Sequence, residues 1–152
     1  MQAIRVALAV LVVACAGRGA AQGQTLVMAE RDLDFGMLTP GAPAVVAPTD
    51  LMRSAQLRIE GRGEYQVSFF LPTCLTAPGG AEIPLVFGAA DGMLSIRHKT
   101  TMFDPNTTLS FRVNPAESEA LINLGGRAQP VPSQAAGIYS ATIVMMVVQT
   151  GT

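Results

Sequence analysis

The chain has 152 residues, and its 10 basic and 11 acidic side chains give a formal net charge of −1 at pH 7. Lys99 is the only lysine, so the chain lacks the clustered positive charge on which sequence-independent binding to nucleic acid depends. One histidine, His98, and two cysteines, Cys15 and Cys74, are fewer than the four ligands of an ordinary zinc site. We therefore predict no nucleic-acid partner, no metal and no other cofactor.

An apolar run near the N-terminus predicts export. Arg5 supplies a positive charge, Val6–Ala14 is apolar, and Gly19–Ala21 offers the small residues that a signal peptidase reads. The run is about half of the roughly 20 residues that a membrane-spanning helix needs. We predict a signal peptide over residues 1–21 and one exported domain over 22–152, in the periplasm or on the cell surface, without a transmembrane segment.

A second interpretation of the same segment depends on Cys15. The sequence from Val12 to Cys15 loosely matches the box at which bacterial lipoproteins are cleaved and acylated. Cleavage there would leave an unusually short leader, so we favour cleavage after Ala21, which leaves Cys74 without a disulfide partner. The mature chain then carries 8 basic and 11 acidic residues, for a net charge of −3.

The remainder of the chain alternates short β-favouring runs with clusters of Gly, Pro, Asn and Asp, and it lacks sustained helical periodicity. A spacing of about 10 to 15 residues between runs is typical of an antiparallel sandwich or barrel. The predicted strands are Thr25–Ala29 with Leu33–Phe35, Ala44–Ala47, Ala55–Glu60, Tyr65–Leu71, Ile83–Phe87, Met93–Arg97, Thr108–Val113, Ala120–Leu124 and Ile138–Gln149. The predicted fold class is all-β.

Alternation of side chains within two of these runs indicates two sheets around a shared core. Ala55–Glu60 has an apolar residue at every second position, and Thr108–Val113 repeats the pattern. Residues between the runs suit tight hairpins. These turns are Gly61-Arg62-Gly63, Pro78-Gly79-Gly80, Asp91-Gly92, Asp104-Pro105-Asn106 and Gly125-Gly126. For the segment 115–120, a single helical turn capped by Asn114 and a polar loop both fit the sequence.

The last predicted strand, Ile138–Gln149, is apolar on both faces from Ile143 onward. Such a strand is either central and covered on both faces, or an edge whose free side is filled by another chain. Soluble proteins avoid apolar edges, which favours the central position, but the sequence leaves both open. Ile143 and Met145 are the candidate assembly residues of this strand.

Three widely spaced segments form a recognisable pattern: Leu33–Gly41, Leu57–Gly61 followed by Tyr65–Phe69, and Gly137–Ile143. In order and spacing they resemble the bacterial domain of unknown function 4402, a secreted β-sandwich family similar in style to spore-coat-U and Csu-type pilin subunits. The resemblance implies an immunoglobulin-like or pilin-like antiparallel β-sandwich, export and no known catalysis. The chain departs from the family pattern in a compressed region between residues 46 and 55 and in a proline-containing stretch at 130–132.

The same segments contain residues whose chemistry suggests structural roles. Phe35 provides an apolar anchor where the first strand meets the core, and Gly36 and Gly41 bracket a turn that contains a proline. Gly137 is expected to let the chain turn sharply into the last strand. Tyr139 is expected to bury its ring and direct its hydroxyl to a backbone partner, as in the tyrosine corners of sandwiches.

The sequence offers no constellation of catalytic residues. His98 lies between Arg97 and Lys99, whose charges disfavour the imidazolium that a hydrolytic mechanism forms. Cys74 has no basic neighbour that would activate its thiol. The acidic residues of segment 30–34 are expected to form a solvated face rather than a calcium site. We predict that the protein is not an enzyme.

The expected function is that of an exported structural subunit in a pilus-like or surface-matrix assembly. Subunits would join by strand addition, in which an extended segment of one chain fills an open sheet edge of the next. Leu26 and Met28, ahead of the first core strand, are the candidate donor residues. The partners would be copies of the chain or related subunits and a periplasmic chaperone. The alternative is a monomeric periplasmic binding or accessory module, in which the last strand is central and both sheet edges are protected.

Overall fold

The computed structural model describes the backbone of residues 3–12 and all of residues 25–151. These residues form strands and turns, with no helix among them. The strands are β1 (Ala3–Val12), β2 (Leu26–Arg31), β3 (Leu33–Met37), β4 (Ala44–Val46), β5 (Ala55–Glu60), β6 (Gly63–Phe70), β7 (Cys74–Thr76), β8 (Glu82–Val86), β9 (Gly92–Ile96), β10 (Lys99–Phe103), β11 (Leu109–Val113), β12 (Glu119–Leu124), β13 (Gly126–Ala128) and β14 (Ser140–Gly151). The predicted all-β class is confirmed. Cys15 and the predicted cleavage site at residues 19–21 lie outside the described residues.

Two sheets pack face to face. The larger sheet runs in the order β11-β6-β14-β7-β8-β13-β4, and β1 joins it by pairing with both β14 and β3. The five-stranded sheet runs in the order β10-β9-β12-β5-β2. Among the described pairs, only β1 and β14 are parallel, and the others are antiparallel. The structure is therefore the predicted antiparallel β-sandwich.

The space between the sheets is filled by two apolar clusters. One is built around Leu33 and Ile143, and the other around Ile59 and its neighbours. Phe69 from the larger sheet and Phe103 from the smaller sheet border both clusters, with stacked rings 5.9 Å apart. The two sheets therefore share one core, as the alternation in the sequence predicts.

The predicted alternation is present in the strands themselves. In β5 every second residue, from Ala55 to Ile59, is buried, and the residues between them are half-buried. In β11, Val113 is buried and Leu109 and Phe111 are half-buried, while the intervening residues are exposed. The predicted turn after β3 is also present, because Thr39 O accepts a hydrogen bond from the backbone N–H of residue 42 at 3.0 Å.

Four of the five predicted hairpins are wrong. Only the turn at residues 78–80 connects two strands that pair with each other, β7 and β8. The turns at 61–63, 91–92, 104–106 and 125–126 instead carry the chain from one sheet to the other. Turn residues indicate that the chain reverses direction, but they do not indicate which strand the following strand pairs with. The hairpin between β9 and β10 turns at Arg97 and His98, and Arg97 adopts a φ of 54° without glycine.

The segment after Asn114 is a turn rather than a helix. A carboxylate oxygen of Glu117 accepts a hydrogen bond from the backbone N–H of Asn114 at 3.0 Å, which is half of a capping box. No helix follows, because β12 begins at Glu119. Of the two alternatives that the sequence leaves open, the polar loop is correct.

Candidate assembly site

Among the described residues, the last strand of the chain, β14, pairs with three strands: β6, β1 and, through Ser140 opposite Thr76, β7. On one side Val144–Gly151 pairs antiparallel with β6. On the other side Ser140–Val147 pairs parallel with residues 5–12 of β1. In the described structure β14 is thus central, and one of its neighbours belongs to the predicted signal peptide.

The strand β1 also connects β14 to β3. Its N-terminal residues pair antiparallel with β3, from Ala3 opposite Met37 to Val6 opposite Leu33. No direct pairing joins β3 to β14 in the described part of the chain. Because neighbouring strands lie about 4.8 Å apart, β3 and β14 stand roughly 10 Å apart with one strand between them. We name the space between Leu33–Met37 of β3 and Ser140–Val147 of β14 the acceptor position.

The wall of the acceptor position that β14 forms is apolar and uncharged. From Ser140 to Val148 the strand contains no ionisable side chain. Ile143 and Met145 are fully buried, so both predicted assembly residues of this strand face the core. A strand with this composition is costly to leave as a free edge, because its unpaired backbone and apolar side chains favour pairing with another chain.

The β3 wall contains a bulge at the predicted anchor. Ile4 lies opposite Gly36 and Arg5 opposite Asp34, so Phe35 has no partner residue in β1. Gly36 has a φ of 67° and donates its N–H to Asp34 Oδ1 at 2.8 Å. A glycine of positive φ next to an extra residue is the usual geometry of a bulge, and here it leaves Phe35 buried in the core.

A tyrosine fixes the start of β14. Tyr139 is fully buried, its hydroxyl donates to the backbone oxygen of Ala135 at 2.6 Å, and it accepts a bond from Gln134 Nε2 at 2.7 Å. The prediction of a buried ring with a backbone partner is confirmed. Gly137 lies at a bend shortly before β14, as predicted, and an added Cβ there would lie in ordinary contact, 3.6 Å from Ala77 Cβ.

The candidate donor residues lie in the other sheet. Leu26 and Met28 belong to β2, the edge strand that pairs antiparallel with β5, where they lie opposite Glu60 and Arg58. Leu26 is exposed, and no residue of β2 is fully buried. The structure therefore brings Phe35, Gly36, Ile143 and Met145 together around the acceptor position but places Leu26 and Met28 elsewhere in the same chain.

The residues that could carry chemistry are dispersed. His98 lies in the turn between β9 and β10, and the half-buried Cys74 has Thr76 Oγ1 3.9 Å from its sulfur. Glu30 forms an ion pair with Arg58 at 2.7 Å, and this carboxylate raises the pKa of the guanidinium. Within residues 25–151 no group of three or more His, Cys, Asp or Glu side chains is placed to hold a metal ion.

The described residues also contain no helix of the length and apolarity that crossing a membrane requires. No family model and no curated protein matches the chain. The resemblance to the domain of unknown function 4402 therefore stays a prediction.

The sequence did not predict that residues 3–12 form a strand. The same apolar run has two interpretations, because Ile, Val and Leu are typical both of an export leader and of a fully buried strand. Its length of 10 residues is also compatible with both. The acceptor position can be identified only when the partners of β14 are known, because the pairing between strands that are distant in the sequence cannot be inferred from neighbouring residues.

Proposed function

We propose that the chain is an exported, non-catalytic structural subunit of a pilus-like or surface-matrix assembly, and that its subunits join by strand addition. The single observation that carries the proposal is the acceptor position. Once a signal peptide over residues 1–21 has been removed, the strand between β3 and β14 goes with it. The mature domain then has an uncharged, eight-residue flank of β14 without a partner strand.

The donor would be the segment around Leu26 and Met28. Within residues 3–12 and 25–151, the edge strand β2 pairs only with β5, and this pairing is interrupted by an irregularity between Ala29 and Arg31. Few buried contacts and one ladder make a segment easy to detach. Its alternating apolar residues could then enter the acceptor position of a second copy, with the backbone supplying affinity and the side chains supplying register.

The donor role can be tested without disturbing the core. Leu26 and Met28 lie opposite the outward-facing Glu60 and Arg58, so Leu26→Lys with Met28→Gln should leave the fold intact. The same change removes the apolar side chains that a donor needs. We expect the exported double variant to remain folded by circular dichroism and to lose assembly by size-exclusion chromatography. Gln56→Lys, on the outer face of neighbouring β5, is the matched control and should assemble normally.

Normal assembly of the Leu26→Lys/Met28→Gln variant would refute the donor role. Deletion of residues 22–29 gives a second test, in which a folded monomer that cannot polymerise is expected. A truncated chain that assembles like the intact one would contradict the proposal in the same way.

A second candidate function is a monomeric periplasmic binding or accessory module. The observation in its favour is that β1, when seated, makes β14 a central strand with neighbours on both sides. If the N-terminal segment were retained, the acceptor position would be permanently filled. Mass spectrometry of the exported protein separates the two functions, because a retained segment 3–12 and a strictly monomeric species at high concentration favour the module.

A further inference from the structure

We infer that residues 3–12 act as a built-in cap, which occupies the acceptor position in the uncleaved chain and prevents assembly until export removes it. This inference rests on the proposed function, because a cap has a purpose only if the position later receives a donor. It assigns to the predicted leader a second role beyond targeting. Before cleavage, the acceptor position is thus occupied by a segment of the same chain.

The match in length between cap and position supports this role. Eight consecutive residue pairs, from Arg5 opposite Ser140 to Val12 opposite Val147, join β1 to β14 without a register shift. They cover Ser140–Val147, eight of the 12 residues of β14. A capping strand must cover the flank that would otherwise associate with another chain, and this one does.

The two ladders of β1 give the cap a further effect on the sheet. Its pairing with β3 is the only strand pairing that β3 makes among the described residues, and β1 is also the partner of β14 on this side. Removal of β1 therefore frees two strand edges at once. The acceptor position is left with hydrogen-bonding backbone on both walls, so an incoming donor can pair with β3 and β14 together.

The composition of the cap also matches that of the β14 flank. From Val6 to Val12 it contains no charged residue, like the flank of β14 that it covers. The alternative occupant from the same chain, β2, contains Glu30 and Arg31 and lies in the other sheet. The uncharged segment is therefore the better intramolecular match to the apolar wall.

Cleavage would convert the capped form into the form that can assemble. Hydrolysis of the peptide bond after Ala21 by an export peptidase consumes one water and releases residues 1–21 as a peptide with its own carboxylate. The cap is then no longer covalently attached, and its effective concentration falls to that of a free peptide. A donor segment from a second copy can then compete for the acceptor position.

A register-specific disulfide in the uncleaved chain tests the cap directly. In a Cys15→Ser/Cys74→Ser background, Ala7→Cys with Thr142→Cys places the two thiols on directly paired residues. The control is Ala7→Cys with Thr150→Cys, because Thr150 lies in the same strand beyond the part that pairs with β1. We expect the 7/142 pair to oxidise at least about tenfold faster than the 7/150 pair, because only the former lies within disulfide distance. Equal rates would overturn the inference.

A peptide experiment covers the case in which the double-cysteine chains do not fold. Synthetic residues 3–12 with a lysine tail, added to the exported and cleaved protein, should raise its melting temperature and block its assembly. The same peptide with Val10→Pro, which interrupts the ladder at the residue opposite Met145, should do neither. No difference between the two peptides would overturn the inference.

The outcomes also distinguish this inference from the proposed function. If the 7/142 disulfide forms preferentially but the cleaved chain never assembles, the cap is correct and the strand-addition function fails. If the cleaved chain assembles but the two disulfides form equally fast, the function stands and the cap fails.

Discussion

The flank of β14 and the edge strand β10 show two ways of terminating a sheet. Lys99–Phe103 forms a short strand that is almost entirely exposed, starts with a lysine and follows Arg97 and His98. Ser140–Val147 is eight residues long, carries no charge and is covered by another strand. Short, charged edges resist pairing with other chains, whereas long apolar edges invite it.

The other edges of the described structure resemble β10 rather than β14. At one end of the larger sheet β4 has three residues, and at the other end β11 carries Arg112, whose guanidinium lies 3.5 Å from Glu64. The smaller sheet ends in β2, which carries Glu30 and Arg31. The terminal strands of both sheets are thus short or carry charge, whereas the uncharged flank of β14 is covered by another strand.

The largest effect is expected from a proline that breaks only this position. Thr142 is exposed and pairs with β1 but lies before the first residue of β14 that pairs with β6. Thr142→Pro should therefore leave the β6 ladder intact while removing a hydrogen-bond donor from this part of β14. We expect the cleaved variant to remain folded and to lose at least about tenfold in assembly rate, measured by light scattering.

The matched control is Thr150→Pro, at the bulge where β14 has already passed the acceptor position. Prolines are tolerated at bulges, so this variant should assemble like the unmodified protein. If both variants assemble equally, the flank of β14 has no part in assembly.

A smaller effect is expected from the residue that sets where the β14 flank begins. Tyr139→Phe removes a buried hydroxyl with hydrogen bonds of 2.6 and 2.7 Å, and we expect a loss of about 1–2 kcal/mol in the free energy of unfolding. Tyr65→Phe, whose hydroxyl bonds are 3.1 and 3.2 Å long, should cost less. Urea denaturation measures both, and an equal or larger loss for Tyr65→Phe would contradict the conclusion that the hydroxyl of Tyr139 fixes the start of β14.

Replacing polar residues of β10 by apolar ones tests whether charge keeps this edge from pairing with other chains. Lys99→Val with Thr101→Val removes the lysine and places two apolar side chains on the face of β10 opposite to that of Met102, which is already exposed. We expect modest self-association that increases with salt and persists when Thr142→Pro is added. A double variant that stays monomeric would show that charge is not what protects this edge.

The smallest effect is expected at Asp50, in the turn between β4 and β5. The guanidinium of Arg53, 2.8 Å from Asp50 Oδ2, and backbone N–H donors lower the pKa of this carboxyl below its ordinary value of 3.8. A lowered pKa means that Asp50 stabilises the fold at pH values above 3.8 and loses this contribution as pH falls through the folded-state pKa. Asp50→Asn should therefore melt slightly lower than the unmodified protein near pH 6 and equally at strongly acidic pH. A difference that grows in acid would contradict the assignment.

Much of the fold could be predicted from local patterns. The alternation in Ala55–Glu60 and the turn residues around it specify strands and their inward faces, and both agree with the structure. The short strands β7, β10 and β13 were missed, because three to five residues without strong alternation give little signal. Four hairpins were wrong since a turn does not encode which sheet receives the next strand.

The candidate site could be predicted only in part. Residues such as Ile143 stand out by their apolar context, and Tyr139 by its position before the last strand. The strand between β3 and β14 could not be predicted, because its pairing joins residues more than 130 positions apart. Register over such a distance is determined by the packed structure and not by neighbouring residues.

Hydrogen exchange of the cleaved, monomeric protein shows whether the flank of β14 is unpaired before assembly. We predict that backbone amides of Ala141–Val147 that face the acceptor position exchange rapidly in the monomer and become protected on assembly or on addition of the residue 3–12 peptide. Amides of β12, in the interior of the smaller sheet, should be protected throughout. Full protection of residues 141–147 in the cleaved monomer would show that β14 is already paired on both sides and would contradict strand addition at the acceptor position.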